Sequence, residues 1–431
     1  MQARWMTFVC LLGALALGVT ACGDDDDDDG GGGGGGTTAS KNVTIYSSLP
    51  LQGASRVQSL DVQRGADLAL EARDGKGGAC TVEYKKLDDS TAQAGTWDPG
   101  ATSANARKVA TDDNAIALLG EFNSGASAIS IPITNEAGIL QVSPSNTALE
   151  LTKDAGPDDK GAPEKYYPTG NRTYGRVVPA DHIQGAAQAD WMEEKGVKKL
   201  YVLDDKQVYG AGVAKTTGDA AEIRGIEVVG TDGIDPKASN YRSLASKIAD
   251  TGADAVFFGG IVDNNAVQLY KDLGAALPDA TLWGPDGVAT STFTNDLPDD
   301  VADRTYITVA TINPKDYAPK GQQFFDSFKQ EYDQKVVQPY AIYGYEAMDV
   351  VLDSMDRAGD SCNDRQAVID EFYATEGKEG VTGTYDIDAD GDVNLSQFGR
   401  YRIENGELNE GVTVDVAQDS NGNPLGGGGG G

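Results

Sequence analysis

The chain has 431 residues, a formal net charge of −32 and a single histidine, His182. Its length allows two domains, each with its own core. The acidity excludes the basic surface that nucleic-acid binding needs, and one histidine excludes a two-His zinc site and leaves a Ser-His-Asp triad only that residue as base.

In chain order, Arg4 precedes an apolar stretch over 6–19 (MTFVCLLGALALGV). About 14 residues are too few to span a bilayer, which needs roughly 20, but they suit the apolar region of an export signal. The stretch runs into Val19-Thr20-Ala21-Cys22. That pattern resembles the lipobox of bacterial lipoproteins, in which the Cys is lipidated and becomes the first residue; a plain signal peptide with an incidental Cys is the alternative. Gly23, six Asp (24–29), seven Gly (30–36) and Thr37-Thr38-Ala39-Ser40 follow. Such a segment builds no core; it reads as a solvated tether reaching roughly 23 Å, with metal binding by the Asp run as the other reading.

The body alternates strands and helices. Residues 43–46 (VTIY) read as a strand, and 58–72 as a helix with Leu60, Gly65, Leu68 and Ala69 at helical spacing. Residues 81–85 alternate as a strand, and 102–111 are helical, with Ala106, Val109 and Ala110 on one face. The unbroken apolar run 115–119 suits a strand buried on both faces. A helix over 124–137 and a strand over 139–142 complete the first set. After the polar segment 152–174 the rhythm restarts: strands at 199–203, 227–229 and 255–258, helices at 211–223, 241–249 and 264–273. This alternation predicts an α/β chain of two Rossmann-like lobes with parallel sheets, whose ligand site lies in the cleft at the strand C-terminal ends.

Catalytic signatures are missing from the sequence. In 210–216 (GAGVAKT) no Gly directly precedes Lys215, as a phosphate loop requires, and position 215 lacks the third Gly or Ala of a dinucleotide fingerprint. Asp386, Asp388, Asp390 and Gly391 match the front of a calcium loop, but position 12 is Gln397 and the flanks read as strands. A hairpin turn using Asp and Gly for their turn geometry is the leading reading, with calcium as the weaker one. The informative stretch is 118–152. There a strand ends at Gly120, Asn123-Ser124-Gly125 opens a helix, and the next strand ends in Ser143-Pro144-Ser145-Asn146-Thr147. Free N–H groups at a helix start favour an anionic group; plain helix capping by Ser124 and Thr147 is the alternative.

This stretch resembles that of the branched-chain amino-acid (Leu/Ile/Val) binding proteins, the type I solute-binding components of ABC importers. Further pieces follow in family order: Leu51-Gln52-Gly53; Asp98-Pro99; 203–210 (LDDKQVYG); Trp283-Gly284-Pro285-Asp286-Gly287; 340–349 (YAIYGYEAMD); and a closing hairpin from Gly383. The resemblance spans about residues 41–415, and its weight lies in the ordered set rather than in any one motif. It implies the type I periplasmic-binding-protein fold. The boundaries expected are a signal over 1–21, a lipidated tether over 22–40, lobe 1 over 41–170 and 310–385, lobe 2 over 171–309 and 386–420, and a disordered Gly tail over 421–431.

The resemblance also implies a binding site and no catalytic residue or cofactor. Ser124, Gly125 and Thr147 would hold a ligand α-carboxylate. Asp286, with a carbonyl near Ser145 or Asn146, would hold the α-ammonium, and Tyr209 and Tyr340 would complete the site. A zwitterion needs donors on one side and an acid opposite. Asn146 replaces an Ala of some relatives, the pocket near Ile261 differs in size, and residues 90–97 are inserted. The implied partners are an amino acid, ABC permease subunits and, through Cys22, the outer face of the bacterial cytoplasmic membrane; the protein is expected as a monomer. Urea, short amides or aromatic acids as ligands, or a sensory role, are the alternatives. Cys80 and Cys362 remain after the leader and anchor are set aside; an even pair in an exported protein reads as a disulfide, with free thiols as the alternative.

Overall fold

The computed structural model describes residues 41–156, 161–409 and 411–425. The leader, the tether with Cys22, and Gly426 to Gly431 lie outside the described residues. The first sheet contains β1 (Lys41–Leu49), β2 (Cys80–Asp88), β3 (Ala115–Gly120), β4 (Leu140–Ser143) and β5 (Tyr174–Arg176). They run parallel in the order β2-β1-β3-β4-β5, with the short strand Lys76–Gly77 antiparallel at the β2 edge. The crossover helices are α1 (Arg56–Glu71), α2 (Pro99–Ala110) and α3 (Ser124–Glu136). Every residue of β3 is buried, as its unbroken apolar run requires.

The second sheet repeats that topology. It holds β6 (Lys199–Asp204), β7 (Glu227–Gly233), β8 (Ala255–Gly259), β9 (Thr281–Gly284) and β10 (Thr305–Val309), parallel in the order β7-β6-β8-β9-β10. Its helices include α4 (Asp181–Glu194), α5 (Val208–Ile223), α6 (Arg242–Asp250) and α7 (Ala266–Ala276). The chain then returns to the first lobe as α8 (Pro319–Glu331), α9 (Ala341–Ala358) and α10 (Arg365–Tyr373). It ends with β11 (Gln397–Glu404) antiparallel on β10 and β12 (Val412–Asp415) antiparallel on β11. The chain thus has the expected α/β fold of two Rossmann-like lobes. In each sheet the strand order reverses at one point, between β1 and β3 and between β6 and β8, and loops leaving such points form a crevice at the strand ends.

Helix α1 departs from its sequence reading. Leu60 and Leu68 are only half-buried, while the buried face is Gln58, Ser59, Asp61, Val62, Gln63, Gly65, Ala66 and Ala69. The cause is the crossing with α9. A Cβ on Gly65 would collide with the Ala341 carbonyl, and one on Gly344 with the Val62 backbone. The two helices therefore meet backbone to backbone, and small residues rather than leucines mark the contact.

Cys80, at the start of β2, is bonded to Cys362, just beyond α9, with the Cα atoms 6.0 Å apart. Both cysteines are buried in the first-lobe core. Closing a loop of 282 residues restricts the unfolded chain and contributes up to roughly 5 kcal/mol on the chain-entropy model. Two C-terminal segments lie elsewhere than expected. The turn after Tyr385 sits against β5, where Arg176 N donates to the Gly391 carbonyl at 2.9 Å. Asn421 and Asn423 fold around the Asp419 carboxylate, and Leu425 packs on the first-lobe core rather than trailing as a tail.

Candidate functional site

Two loops of the first lobe are built as one unit. The peptide after β3 presents the carbonyls of Glu121 and Phe122, and the loop after β4 takes them both. Asn146 Nδ2 donates to Glu121 O at 3.1 Å and to Phe122 O at 2.9 Å. Ser143 Oγ donates to Glu121 O at 2.8 Å, and Ser145 Oγ to Phe122 O at 2.8 Å. With these carbonyls engaged, α3 begins beside the Ser124 hydroxyl, its Ala126 and Ser127 N–H groups already donating to the Asn123 carbonyl. That end carries the positive pole of the helix dipole.

The second lobe places Asp286 opposite. It follows β9 and is 4% exposed. Tyr209, in the first turn of α5, donates to Asp286 Oδ1 at 2.9 Å. Tyr340, immediately before α9, donates to Oδ2 at 2.6 Å. The Tyr209 hydroxyl accepts in turn from Gly287 N at 3.0 Å. Position 287 must be glycine, because a Cβ would press on the Gly260 carbonyl and the Tyr209 ring. Burial pushes the Asp286 carboxyl up, and its two tyrosine donors oppose that. Burial beside this charge holds both tyrosine hydroxyls well above their ordinary value.

A cavity of about 30 Å³ lies between these groups. Ser124, Ser145, Tyr209, Asp286 and Tyr340 line it, together with Ser55, Gln58, Phe122, Asn123, Ile261 and Gly287. Phe122 meets the Tyr340 ring edge-on at 5.9 Å and forms an apolar wall. Larger surface grooves of about 660 and 800 Å³ lack this convergence of loops from both sheets. Gly125, Asn146 and Thr147 do not line the cavity. A Cβ on Gly125 would strike the Trp97 ring, so that face of α3 lies under the inserted segment 90–97. Asn146 is fully buried and spends its amide on bracing the loops, with its Oδ1 accepting from Tyr174. Thr147 is buried behind the loop, where its carbonyl accepts from Asp181 N at 2.8 Å.

The brace extends into the hinge. Arg176 is fully buried; it donates to the carbonyls of Asn146 (3.0 Å) and Ala148 (2.9 Å), to Thr152, and to Asp392 Oδ1 at 2.7 Å. A guanidinium buried this way needs every one of these partners. Asp392 is held below the usual carboxylate range: Arg176 and Lys153 together outweigh the effect of burial. This settles the geometry of the acidic turn. Lys153 Nζ stands 2.6 Å from Asp388, 3.6 Å from Asp390 and 3.6 Å from Asp392, so a side-chain ammonium occupies the centre of the carboxylates. Asp386 faces away and accepts from Gly377 N and Asn394 Nδ2. The segment is a hairpin turn closed by Gly391 N donating to Asp388 O, and among the described residues no cluster of His, Cys, Asp and Glu suits a metal ion.

Three more buried acids surround the site, and sequence reasoning passed over all of them. Asp89 and Glu121, which follow β2 and β3, are both fully buried. Burial pushes Asp89 up to about 7, with the Asp88 and Asp98 charges adding and a hydrogen bond with Glu121 opposing; burial and the Asp89 charge push Glu121 well above its ordinary value. Asp181, at the start of α4, is fully buried. Burial pushes it up to about 8, the Asp286 charge adds to this, and the Thr147 hydroxyl acts the other way. None carries a motif; each shows only when two strand ends or two lobes are brought together.

Comparison with known proteins gives the family. A family model described as periplasmic binding protein matches residues 43–406. A leucine-, isoleucine-, valine-, threonine- and alanine-binding protein of Pseudomonas aeruginosa is 27% identical over 79% of this chain and 84% of its own length. A leucine binding protein from Thermotoga maritima superposes with a TM-score of 0.75 at 21% identity, covering 86% of this chain and 99% of its own. A solute binding protein of an ABC transporter from R. palustris, solved in complex with benzoate, gives a TM-score of 0.70 at 20% identity, over 87% of this chain and 98% of its own. The chain belongs to the periplasmic binding protein family, and branched-chain amino-acid binding proteins are among its relatives, as the ordered motifs implied.

The buried Asp181 sets a pH dependence. Its folded value of about 8 stands above the ordinary value of about 4 in an unfolded chain. The native state therefore keeps a proton that the unfolded chain loses, and this contribution to stability falls as pH rises from about 4 to about 8, then levels off. Asp181→Asn removes the effect. Thermal unfolding followed by circular dichroism will show a melting temperature near that of wild type at pH 4 and several degrees above it at pH 8; a variant less stable than wild type at pH 8 contradicts this assignment.

Proposed function

We propose that this member of the periplasmic binding protein family is an extracytoplasmic solute-binding protein that captures an α-amino acid between its lobes and passes it to an ABC permease. The observation that carries the reading is Asp286. Its carboxylate is buried at the lobe interface and held by Tyr209 and Tyr340, opposite the N-terminus of α3 with Ser124. An ammonium offsets the buried carboxylate, and a carboxylate suits the helix end. Ser145 supplies the adjoining polar wall, and Phe122 and Ile261 the apolar one. The relatives that carry amino-acid names support the same ligand class. The benzoate complex of a protein sharing the fold supplies the competing class, an aromatic acid with no ammonium; Asp286 argues against it, since such a ligand leaves that carboxylate buried without a cation. An export signal and lipidation at Cys22 fit delivery at the membrane face, and the chain is proposed as a monomeric binder rather than an enzyme.

Isothermal titration calorimetry tests the ligand class. Leucine, isoleucine, valine, threonine, alanine, urea and benzoate are titrated into wild type and Asp286→Ala. At least one amino acid is expected to bind wild type, and the substitution to weaken it by about 100-fold, the scale of removing one partner from a buried charge pair. Equal binding to both proteins removes the ammonium role of Asp286. Binding of urea or benzoate alone removes the amino-acid class.

A further inference from the structure

Helix α1 begins without a cap of its own. Ser55 precedes its first residue and makes no side-chain capping bond to the helix. The two residues just before it find their acceptor in the other lobe. Asp263, in the turn Val262–Asn264 after β8, reaches across: its Oδ1 accepts from Ala54 N at 2.6 Å, and its Oδ2 accepts from the Ser55 hydroxyl. The residue before Ala54 is hemmed in from both lobes. Gly53 has φ +80°, and a Cβ there would fall 1.9 Å from the Gly95 carbonyl oxygen and 2.7 Å from Asp263 Oδ1. Two further bonds cross at the same place: Gln58 Nε2 donates to the Ala289 carbonyl at 2.9 Å, and Thr292 Oγ1 donates to the Ala54 carbonyl at 3.3 Å.

Capping acceptors ordinarily come from the chain just before the helix. Here a charged acceptor from one lobe meets the positive end of a helix of the other, so the bond exists only while the lobes are together. Ser55 and Gln58 line the ligand cavity, whereas Asp263 does not. We infer that Asp263 is an inter-lobe latch: a positioning residue that holds the lobes closed on a bound solute, and slows its release, without touching it. Separating the lobes leaves the α1 end to water and frees the Asp263 carboxylate. The contribution adds to whatever the solute itself gives to closing, because apparent affinity follows the population of the closed state. Which solute binds rests on the reading of the site above; the latch itself does not.

The test uses the full mature chain as wild type, Asp263→Ala and Asp263→Asn. Small-angle X-ray scattering without added solute reads the lobe separation, and stopped-flow fluorescence reads the L-leucine off-rate. Asp263→Ala is expected to enlarge the radius of gyration and to raise the off-rate about tenfold, the scale of losing a hydrogen bond to a charged group, with the on-rate unchanged. Asp263→Asn keeps an acceptor for Ala54 N and is expected to restore most of both, a rescue that a merely structural role would not give. An alanine variant that matches wild type in both size and off-rate overturns the latch, as does an asparagine variant no better than alanine. If L-leucine fails to bind wild type, the ligand reading is at fault, and the scattering comparison alone decides the latch.

Discussion

A buried carboxylate organises this protein. Asp286 is nearly withdrawn from water, and an isolated charge in such a place is strongly unfavourable. It is tolerated because donors arrive from two directions, Tyr209 from the start of α5 and Tyr340 from the start of α9. Neither tyrosine is near Asp286 in sequence; the repeated strand order brings the end of β9 to the same crevice as the loops after β3 and β4. The local glycines follow from the same constraint. Gly287 admits the Tyr209 ring, and Gly210 leaves room for the Asp205 carboxylate, which accepts from Asn264 and from Ile261 N.

The first lobe answers with rigidity. Its two loops share carbonyls through Ser143, Ser145 and Asn146, and Arg176 ties their far end to the hinge strand and to the acidic turn. That turn resembles an ion loop, but Lys153 stands among its carboxylates. Its function in the fold is to present Asp392 to Arg176. Pre-set loops of this kind lose little entropy when a solute arrives, which leaves closing as the step that sets affinity. The Asp263 contact with α1 acts on that step from outside the cavity.

Much of the architecture was legible because it depends on local pattern. The run 115–119 is typical of a doubly buried strand, and the ordered motifs from Leu51 to Gly391 pointed to the family. The site was legible in part. Ser124, Tyr209 and Asp286 stand where strands lead into helical turns, with recognisable neighbours. Thr147 and Asn146 have the same kind of neighbours, yet lie behind the cavity, because a loop's sequence does not show which side chains turn inward. Leu60 and Leu68 misled, since α1 meets α9 through glycines and leaves its leucines at the margin. Gln58, Ser55 and Asp263 gave no signal at all: their partners lie more than 200 residues away, and a polar residue in a loop looks the same whether it faces water or another lobe.

The central claim is that one cleft holds an ammonium at Asp286 and a carboxylate at the N-terminus of α3 at the same time. The most direct measurement compares three ligands by calorimetry at pH 7: the amino acid that binds tightest, its deaminated acid and its decarboxylated amine. The account predicts that each analogue binds at least about 100-fold more weakly than the parent, because each leaves one half of the site without its charge. A deaminated acid that binds as tightly as the amino acid would contradict it.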